Sequence, residues 1–133
     1  MNENTAKSRI FIGIGALACM IGVATGAFGA HALENTISAK RMVTWGKAVD
    51  YLFVHALGMM LVGVLGNIKP AKCLQVSGWL MLAGIVLFSG SLFTLVLSGN
   101  TWLGVITPIG GVSFLTAWLV LAICYLRPVR STR

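Results

Sequence analysis

The chain consists of long uncharged runs, mostly apolar, separated by short charged segments. These runs hold 24, 18 and 54 residues, at 10–33, 51–68 and 73–126. A helix needs about 20 apolar residues to cross the hydrocarbon core of a bilayer, so the first two runs predict one span each and the third predicts two. The turn that divides the third run is expected at Ser98-Gly-Asn-Thr101, because Ser-Gly and Gly-Asn favour turns. The predicted helices cover about 10–32, 49–68, 74–98 and 102–126.

The pattern therefore predicts an all-α integral membrane protein, an antiparallel four-helix bundle that forms a single membrane domain over 1–133. A short amphipathic helix is expected at about 38–48, since Met42, Trp45 and Val49 share one face and Lys40 and Lys47 the other. Ser38 is a candidate N-cap for this interfacial helix. We also expect Trp45, Tyr51 and Trp102 at the level of the lipid headgroups.

Composition supports a membrane class and excludes a soluble globule or a disordered chain. Apolar residues make up 57% of the chain and charged residues 10%, with a mean hydropathy of +0.89. Most of the ten Lys and Arg residues lie in the N-terminal segment, the 69–72 loop and the C-terminal tail, which predicts that both termini are cytoplasmic. The excess of basic residues indicates anchoring at the inner leaflet. We expect no nucleic-acid partner. A cleavable signal peptide is the competing interpretation of the N-terminus, but its apolar run is too long.

Small residues recur on one face of each predicted helix. In lipid, close approach of small residues favours helix association, so these positions are expected to pack helices together. The glycines predicted to do so are Gly15, Gly22, Gly26, Gly29, Gly110 and Gly111. The three cysteines, Cys19, Cys73 and Cys124, are scattered and odd in number, which argues against a disulfide framework.

Polar residues are predicted to gather near the outer ends of the helices. On the predicted depths, His31 and His55 reach a similar level, because the first two helices are antiparallel neighbours. The candidate functional layer comprises His31, Glu34, Tyr51, His55, Ser91, Thr107 and Pro108. An ionisable group inside a span indicates a functional site by default, yet His55 can equally be a structural residue that hydrogen-bonds a neighbour.

Several functions remain open for this layer. His31, Glu34 and His55 are candidate ligands for a metal ion, and His31 and His55 for haem, although we expect no cofactor. A transporter or proton relay through His55 and Tyr51 is another possibility, but the spans lack a deeply buried carboxylate. The sequence offers no nucleophile–base pair and no cofactor loop, which disfavours an enzyme and leaves no candidate catalytic residue.

Four sequence blocks carry a family resemblance. They are Gly26-Ala-Phe-Gly-Ala-His-Ala-Leu33, the spaced set Trp45, Ala48, Tyr51 and His55-Ala-Leu57, Gly90-Ser-Leu-Phe93, and Leu103-Gly-Val-Ile-Thr-Pro-Ile-Gly-Gly111. In this order they resemble the domain-of-unknown-function 423 family of small bacterial inner-membrane proteins, which is similar to transmembrane protein 256-like proteins. Phe93 stands where Tyr is usual. The resemblance implies four membrane helices and a bacterial inner-membrane location, and it implies no catalytic residues.

The function favoured by the sequence is a non-enzymatic accessory or scaffold role in the inner membrane. The expected partners are the lipid bilayer and either further copies of the chain or a larger membrane complex. An oligomeric transporter or relay using His55 is the first alternative, and a metal- or haem-binding protein is the second.

Overall fold

The computed structural model describes residues 3–127, which form four helical spans joined by short connections. The spans are Ala6–Leu33, Ala39–Ile68, Lys72–Ser98 and Thr101–Leu126. Each is apolar and longer than the roughly 20 residues that cross a bilayer. The predicted all-α fold with four membrane spans is confirmed, and residues 3–127 contain no β-strand.

Two of the spans are interrupted by π-helical turns. The elements in order are α1 (Glu3–Phe28), a terminal π segment (Gly29–Leu33) that ends the first span, α2 (Ala39–Ile68), α3 (Lys72–Gly84), a central π segment (Ile85–Gly90), α4 (Ser91–Ser98), a 3₁₀ turn (Thr101–Val105) and α5 (Thr107–Leu126). A π turn inserts one extra residue into a helix and changes which side chains share a face after it.

The segment 38–48 is not a separate interfacial helix. It forms the first turns of α2, a continuous helix of 30 residues that is capped by the Ser38 hydroxyl accepting from the Arg41 N–H, as predicted for this cap. The amphipathic pattern has another cause, because its apolar face packs within the bundle. Trp45 is 4% exposed and lies in a cluster with Leu33 and Val96. Burial within the bundle does not fix the depth of Trp45, and its headgroup position stays a prediction.

The turn between the last two spans lies where the sequence predicts it. Gly99 ends α4 with φ of 73°, a left-handed conformation that glycine adopts without steric cost. The Asn100 side chain accepts a hydrogen bond from the Trp102 N–H at 3.1 Å and begins the 3₁₀ turn. Ser98 and Thr101 complete this tight connection.

Close contacts between helices explain several glycines. A Cβ on Gly15 would lie 2.8 Å from the Ala56 carbonyl oxygen, so α1 and α2 meet backbone to backbone. A Cβ on Gly110 would clash with the backbone of Phe88, which places α5 directly against the central π segment. Gly22 and Gly29 lie against the Phe53 and Trp45 rings, whereas Cβ atoms on Gly26 and Gly111 would meet only ordinary contacts, at 3.7 and 3.9 Å.

Helices α3 and α5 are joined by two interhelical hydrogen bonds. Ser77 donates to the Ala117 carbonyl oxygen at 2.9 Å, and Ser113 donates to the Leu80 carbonyl oxygen at 2.7 Å. These bonds satisfy hydroxyl groups that have no water partner in an apolar medium. Together with the glycine contacts they fix the pairing of the third and fourth spans.

Cysteine pairing is a correction to the sequence analysis. Cys73 at the start of α3 and Cys124 near the end of α5 form a disulfide with a Cα–Cα distance of 6.0 Å. Cys19 remains a free thiol. Spacing along the sequence could not reveal the pair, because 51 residues separate two positions that the antiparallel packing brings to the same end of the bundle.

Candidate functional site

The predicted polar layer separates into two groups at different depths. His31 and Glu34 are exposed at the C-terminal end of the first span. His55 instead follows Leu52 and precedes Ala56, which both pack against Ala18 of α1. Ala18 is 13 residues before His31, so the two imidazoles lie about 20 Å apart along the bundle axis.

The expectation of equal depth for the histidines is therefore wrong. The reason is that α2 begins at Ala39, so His55 lies more than four helical turns from the start of this helix. A metal or haem site shared by His31 and His55 does not fit this geometry. Within residues 3–127, no three His, Cys, Asp or Glu side chains lie close enough to hold a metal ion.

Three members of the layer, Ser91, Thr107 and Pro108, do come together where the third and fourth spans meet. The Ser91 and Thr107 hydroxyl groups are 2.8 Å apart, and the Ser91 hydroxyl also donates to the Phe88 carbonyl oxygen at 3.0 Å. Pro108 follows Thr107 in the first turn of α5, where a proline N is tolerated. This small network ties the central π segment to the beginning of α5.

His55 is buried among aromatic rings. Its Nδ1 lies 2.7 Å from the Tyr51 carbonyl oxygen, so Nδ1 carries the ring proton and donates, which leaves Nε2 as an acceptor in the neutral ring. The imidazole stacks on Phe114 with 3.4 Å between ring centroids and 12° between planes. The structure therefore gives His55 a hydrogen-bond partner at Nδ1, and no residue among 3–127 hydrogen-bonds its Nε2.

These rings form the wall of a cleft between α2, the central π segment and α5, which we call the aromatic cleft. Its volume is about 640 Å³. The lining residues are Asp50, Tyr51, Val54, His55, Phe88, Pro108, Gly111, Val112, Phe114, Leu115 and Trp118. Two of these rings are held by close packing on glycine, since the backbone of Phe88 lies against Gly110 and the Phe114 ring lies against Gly84.

Asp50 gives the aromatic cleft its formal charge. The side chain is exposed and lies 11 residues, about 16 Å, from the N-terminus of α2. The neighbouring Val49 lies against Gly26, seven residues before the end of the first span at Leu33. Asp50 therefore lies about 10 Å along the bundle axis from that end, directly before the uncharged run 51–68 of α2.

The sequence analysis did not identify most of this cleft. It placed Tyr51, His55 and Pro108 in the polar layer but left out Asp50 and the aromatic residues. One signal was present, since Tyr51 and His55, like Phe114 and Trp118, are four residues apart and so share a helical face. Each face contacts a particular neighbouring span because of how its helix is rotated about its own axis. The spacing of residues in the sequence does not determine that rotation.

Comparisons with known proteins agree with the membrane fold. The chain is similar to a UPF0382 membrane protein of Staphylococcus saprophyticus, with 48% identity over 115 residues that cover 86% of this chain and 95% of the relative. It is also similar to the UPF0382 membrane protein YwdK of Bacillus subtilis, with 42% identity over 116 residues that cover 86% of this chain and 94% of the relative. No solved structure matches the chain.

A family model described as "Protein of unknown function (DUF423)" matches residues 25–111. This match includes the terminal π segment, α2, α3, the central π segment, α4 and the first turn of α5, and with them seven of the eleven residues that line the aromatic cleft. The chain thus belongs to the DUF423 family of bacterial membrane proteins.

Proposed function

We propose that this protein is a non-enzymatic accessory protein of the bacterial inner membrane that binds a small lipid-soluble molecule in the aromatic cleft. The observation that carries the proposal is the cleft itself, about 640 Å³ in volume and walled by Tyr51, Phe88 and Phe114. Small-molecule sites are usually concave, apolar and of about 300–1,000 Å³, with a few polar groups that orient the ligand. Here Asp50 and His55 are such groups.

The position of the cleft favours a ligand that enters from the bilayer. The cleft opens between α2 and α5 on a surface that contains exposed apolar side chains, including Val54, Val112 and Leu115. Such a surface faces lipid in a membrane protein. A molecule dissolved in the bilayer reaches the cleft without crossing a polar barrier.

The chemistry of the lining favours binding over proton transfer. The Nδ1 of His55 is engaged by the Tyr51 carbonyl oxygen, and its ring is stacked between aromatic side chains. A relay needs a chain of polar groups on both sides of the imidazole, whereas the remaining lining is largely apolar. The relay therefore remains the alternative function, to be distinguished by experiment.

We propose an orientation with both termini in the cytoplasm. Lys69, Lys72 and Arg127 lie at the end of the bundle that also holds the beginning of α1, whereas Arg41 lies at the opposite end, beside Gly99. An excess of Lys and Arg marks the cytoplasmic side. Arg130 and Arg133, which the sequence argument also counted, lie outside the described residues.

Native mass spectrometry of the protein extracted from its own membrane tests the binding role. We expect one small apolar adduct in addition to lipid, in a complex heavier than the 14.1 kDa chain. Gly111→Leu should remove the adduct, because it fills the cleft from a position where a Cβ meets nothing closer than 3.9 Å. Gly13→Leu is the matched control, since no atom lies within 4 Å of its Cβ position.

Four results would contradict this proposal. An adduct that survives Gly111→Leu is bound elsewhere, and a protein carrying only lipid has no cleft ligand. A strictly monomeric chain under gentle extraction excludes the accessory role. A proton flux into vesicles that stops with His55→Phe would establish the relay instead.

A further inference from the structure

We propose that a second cleft, at the end of the bundle where the second and fourth spans finish, binds the phosphate of an anionic phospholipid headgroup. The volume of this cleft is about 210 Å³. We call it the basic cleft, and its lining residues are Lys69, Ala71, Leu74, Cys124, Tyr125 and Arg127. It shares no residue with the aromatic cleft, so this proposal is independent of the ligand proposed there.

The first observation is the charge of the lining. Lys69 and Arg127 line the same cleft, and its lining contains no Asp or Glu. Both side chains are exposed, and none of the side chains of residues 6–127 forms an ion pair with either of them. Two unpaired cations at one cavity attract an anion, and Arg in particular binds phosphate oxygens through paired N–H groups.

The second observation is the position of the cleft relative to the uncharged runs of the sequence. Lys69 directly follows the run 51–68, and Arg127 directly follows the run 73–126. The second and fourth spans each end one residue before these cations. The charge pattern and the ends of the spans therefore both place the two cations where the apolar part of the bundle meets the lipid headgroups.

The third observation is the apolar surface next to the cations. Ile68 is 77% exposed and Leu126 is 81% exposed, and each directly precedes one of the two cations. Acyl chains attached to a bound headgroup can pack on these side chains, whereas a free phosphate ion gains nothing from them. Charge and apolar surface together favour a lipid over a soluble anion.

The size of the cleft also agrees with a headgroup. Sites that enclose a whole small molecule usually have about 300–1,000 Å³, so the smaller basic cleft suits one phosphate group with its acyl chains outside.

The helix ends at the basic cleft do not reverse the sign of its potential. The C-terminal ends of α2 and α5 carry negative partial charges of about half a unit each, and the start of α3, which has no side-chain cap, carries a positive one. The two full charges of Lys69 and Arg127 exceed their sum, so the potential is positive.

The test is lipid binding to the full chain in detergent, measured by native mass spectrometry. The probes are phosphatidylglycerol, which is anionic, and phosphatidylcholine, which is zwitterionic, with the same acyl chains. We expect the chain to bind phosphatidylglycerol at least about tenfold more tightly, since each Lys or Arg close to an anionic lipid surface contributes about fivefold. Lys69→Gln and Arg127→Gln should each lower this preference by about fivefold.

Lys72→Gln is the matched control. Lys72 is exposed at the same end of the bundle, but it does not line the basic cleft. Its substitution should change the preference by less than about twofold. All three side chains are exposed, so the variants should fold normally, and the thermal midpoint of each in the same detergent checks this.

The outcomes distinguish a built site from general attraction to positive charge. A preference lowered in Lys69→Gln and Arg127→Gln but kept in Lys72→Gln supports the proposal. Equal losses in all three variants, or no preference in the unmodified chain, would overturn it. Displacement of the lipid by inorganic phosphate, but not by chloride at equal ionic strength, would assign the cleft to a soluble anion instead.

Discussion

The indole Nε1 of Trp45 donates a 2.8 Å hydrogen bond to the backbone carbonyl oxygen of Thr25. This bond crosses from α2 to α1, and Gly29 permits it because a Cβ there would lie 2.6 Å from the same nitrogen. The contact shows that the first turns of α2 are part of the bundle. It also explains why the segment that contains Gly29 packs against the segment that contains Trp45, although the two are separate in the sequence.

Trp45→Phe should destabilise the protein by about 1 kcal/mol, since it removes this hydrogen bond and keeps an aromatic ring in the cluster. The free energy of unfolding in mixed detergent micelles is the measurement. Trp102→Phe is the control, because Trp102 is 65% exposed and its change should have little effect. Equal losses from the two variants would contradict the assigned role.

Gly15→Ala should destabilise the bundle by about 1–3 kcal/mol, because the new methyl group meets the backbone of α2 at Ala56 and the helices must separate. Gly13→Ala, two residues away on the same helix, meets no atom within 4 Å and should be neutral or slightly stabilising. Thermal unfolding of both variants in the same detergent distinguishes them. A neutral Gly15→Ala would show that α1 and α2 are further apart.

Ser113→Ala should weaken the pairing of α3 and α5 by about 0.6–1.7 kcal/mol, the range typical of hydrogen bonds between membrane helices. Thr116→Val provides a control, since the Thr116 hydroxyl bonds only to the Val112 carbonyl oxygen of its own helix. The two unfolding free energies should differ by most of the Ser113 effect. If they coincide, the bond to Leu80 contributes no net stability.

His55→Ala should impair ligand binding in the aromatic cleft, because it removes the ring that stacks on Phe114. His31→Ala should leave binding unchanged, since His31 is exposed about 20 Å away along the bundle axis. The amount of native adduct retained by each variant in mass spectrometry is the measurement. Equal losses of ligand binding in both variants would support the prediction that His31 and His55 belong to a single polar layer.

The disulfide predicts a specific pattern of thiol labelling. The unreduced chain, unfolded in denaturant, should take up one maleimide group at Cys19, and three groups after reduction. Mass spectrometry counts the labels directly. Three labels without reduction would show that Cys73 and Cys124 are thiols in the purified protein.

The number and class of the helices could be predicted because both depend on the length of apolar runs. The four spans and the turn at Gly99 follow from the local sequence alone. The rotation of the helices could not be predicted, since it is set by contacts between distant segments. The central π segment adds a further shift of about 100° to the face of the third span. The spacing of residues along the chain does not reveal this shift.

The candidate site was predicted only in part for a related reason. Tyr51, His55 and Pro108 line the aromatic cleft, but His31 and Glu34 do not. The difference arises at 38–48, where an amphipathic pattern fits both a helix lying on the membrane and a buried helical end. The two interpretations predict different depths for every later residue in α2. Phe88, Phe114 and Trp118 resemble ordinary lipid-facing residues until the helices are assembled.

The redox state of Cys73 and Cys124 also indicates in which direction the protein is inserted into the membrane. The disulfide joins the helix ends that carry the basic residues, on the side that the charge distribution assigns to the cytoplasm. Glutathione and thioredoxin keep thiols reduced in that compartment, whereas the opposite side is oxidising. Trapping the thiols with acid in living cells would therefore find the pair reduced if the basic end is inside. A pair found oxidised would mean that the four spans are inserted in the opposite direction.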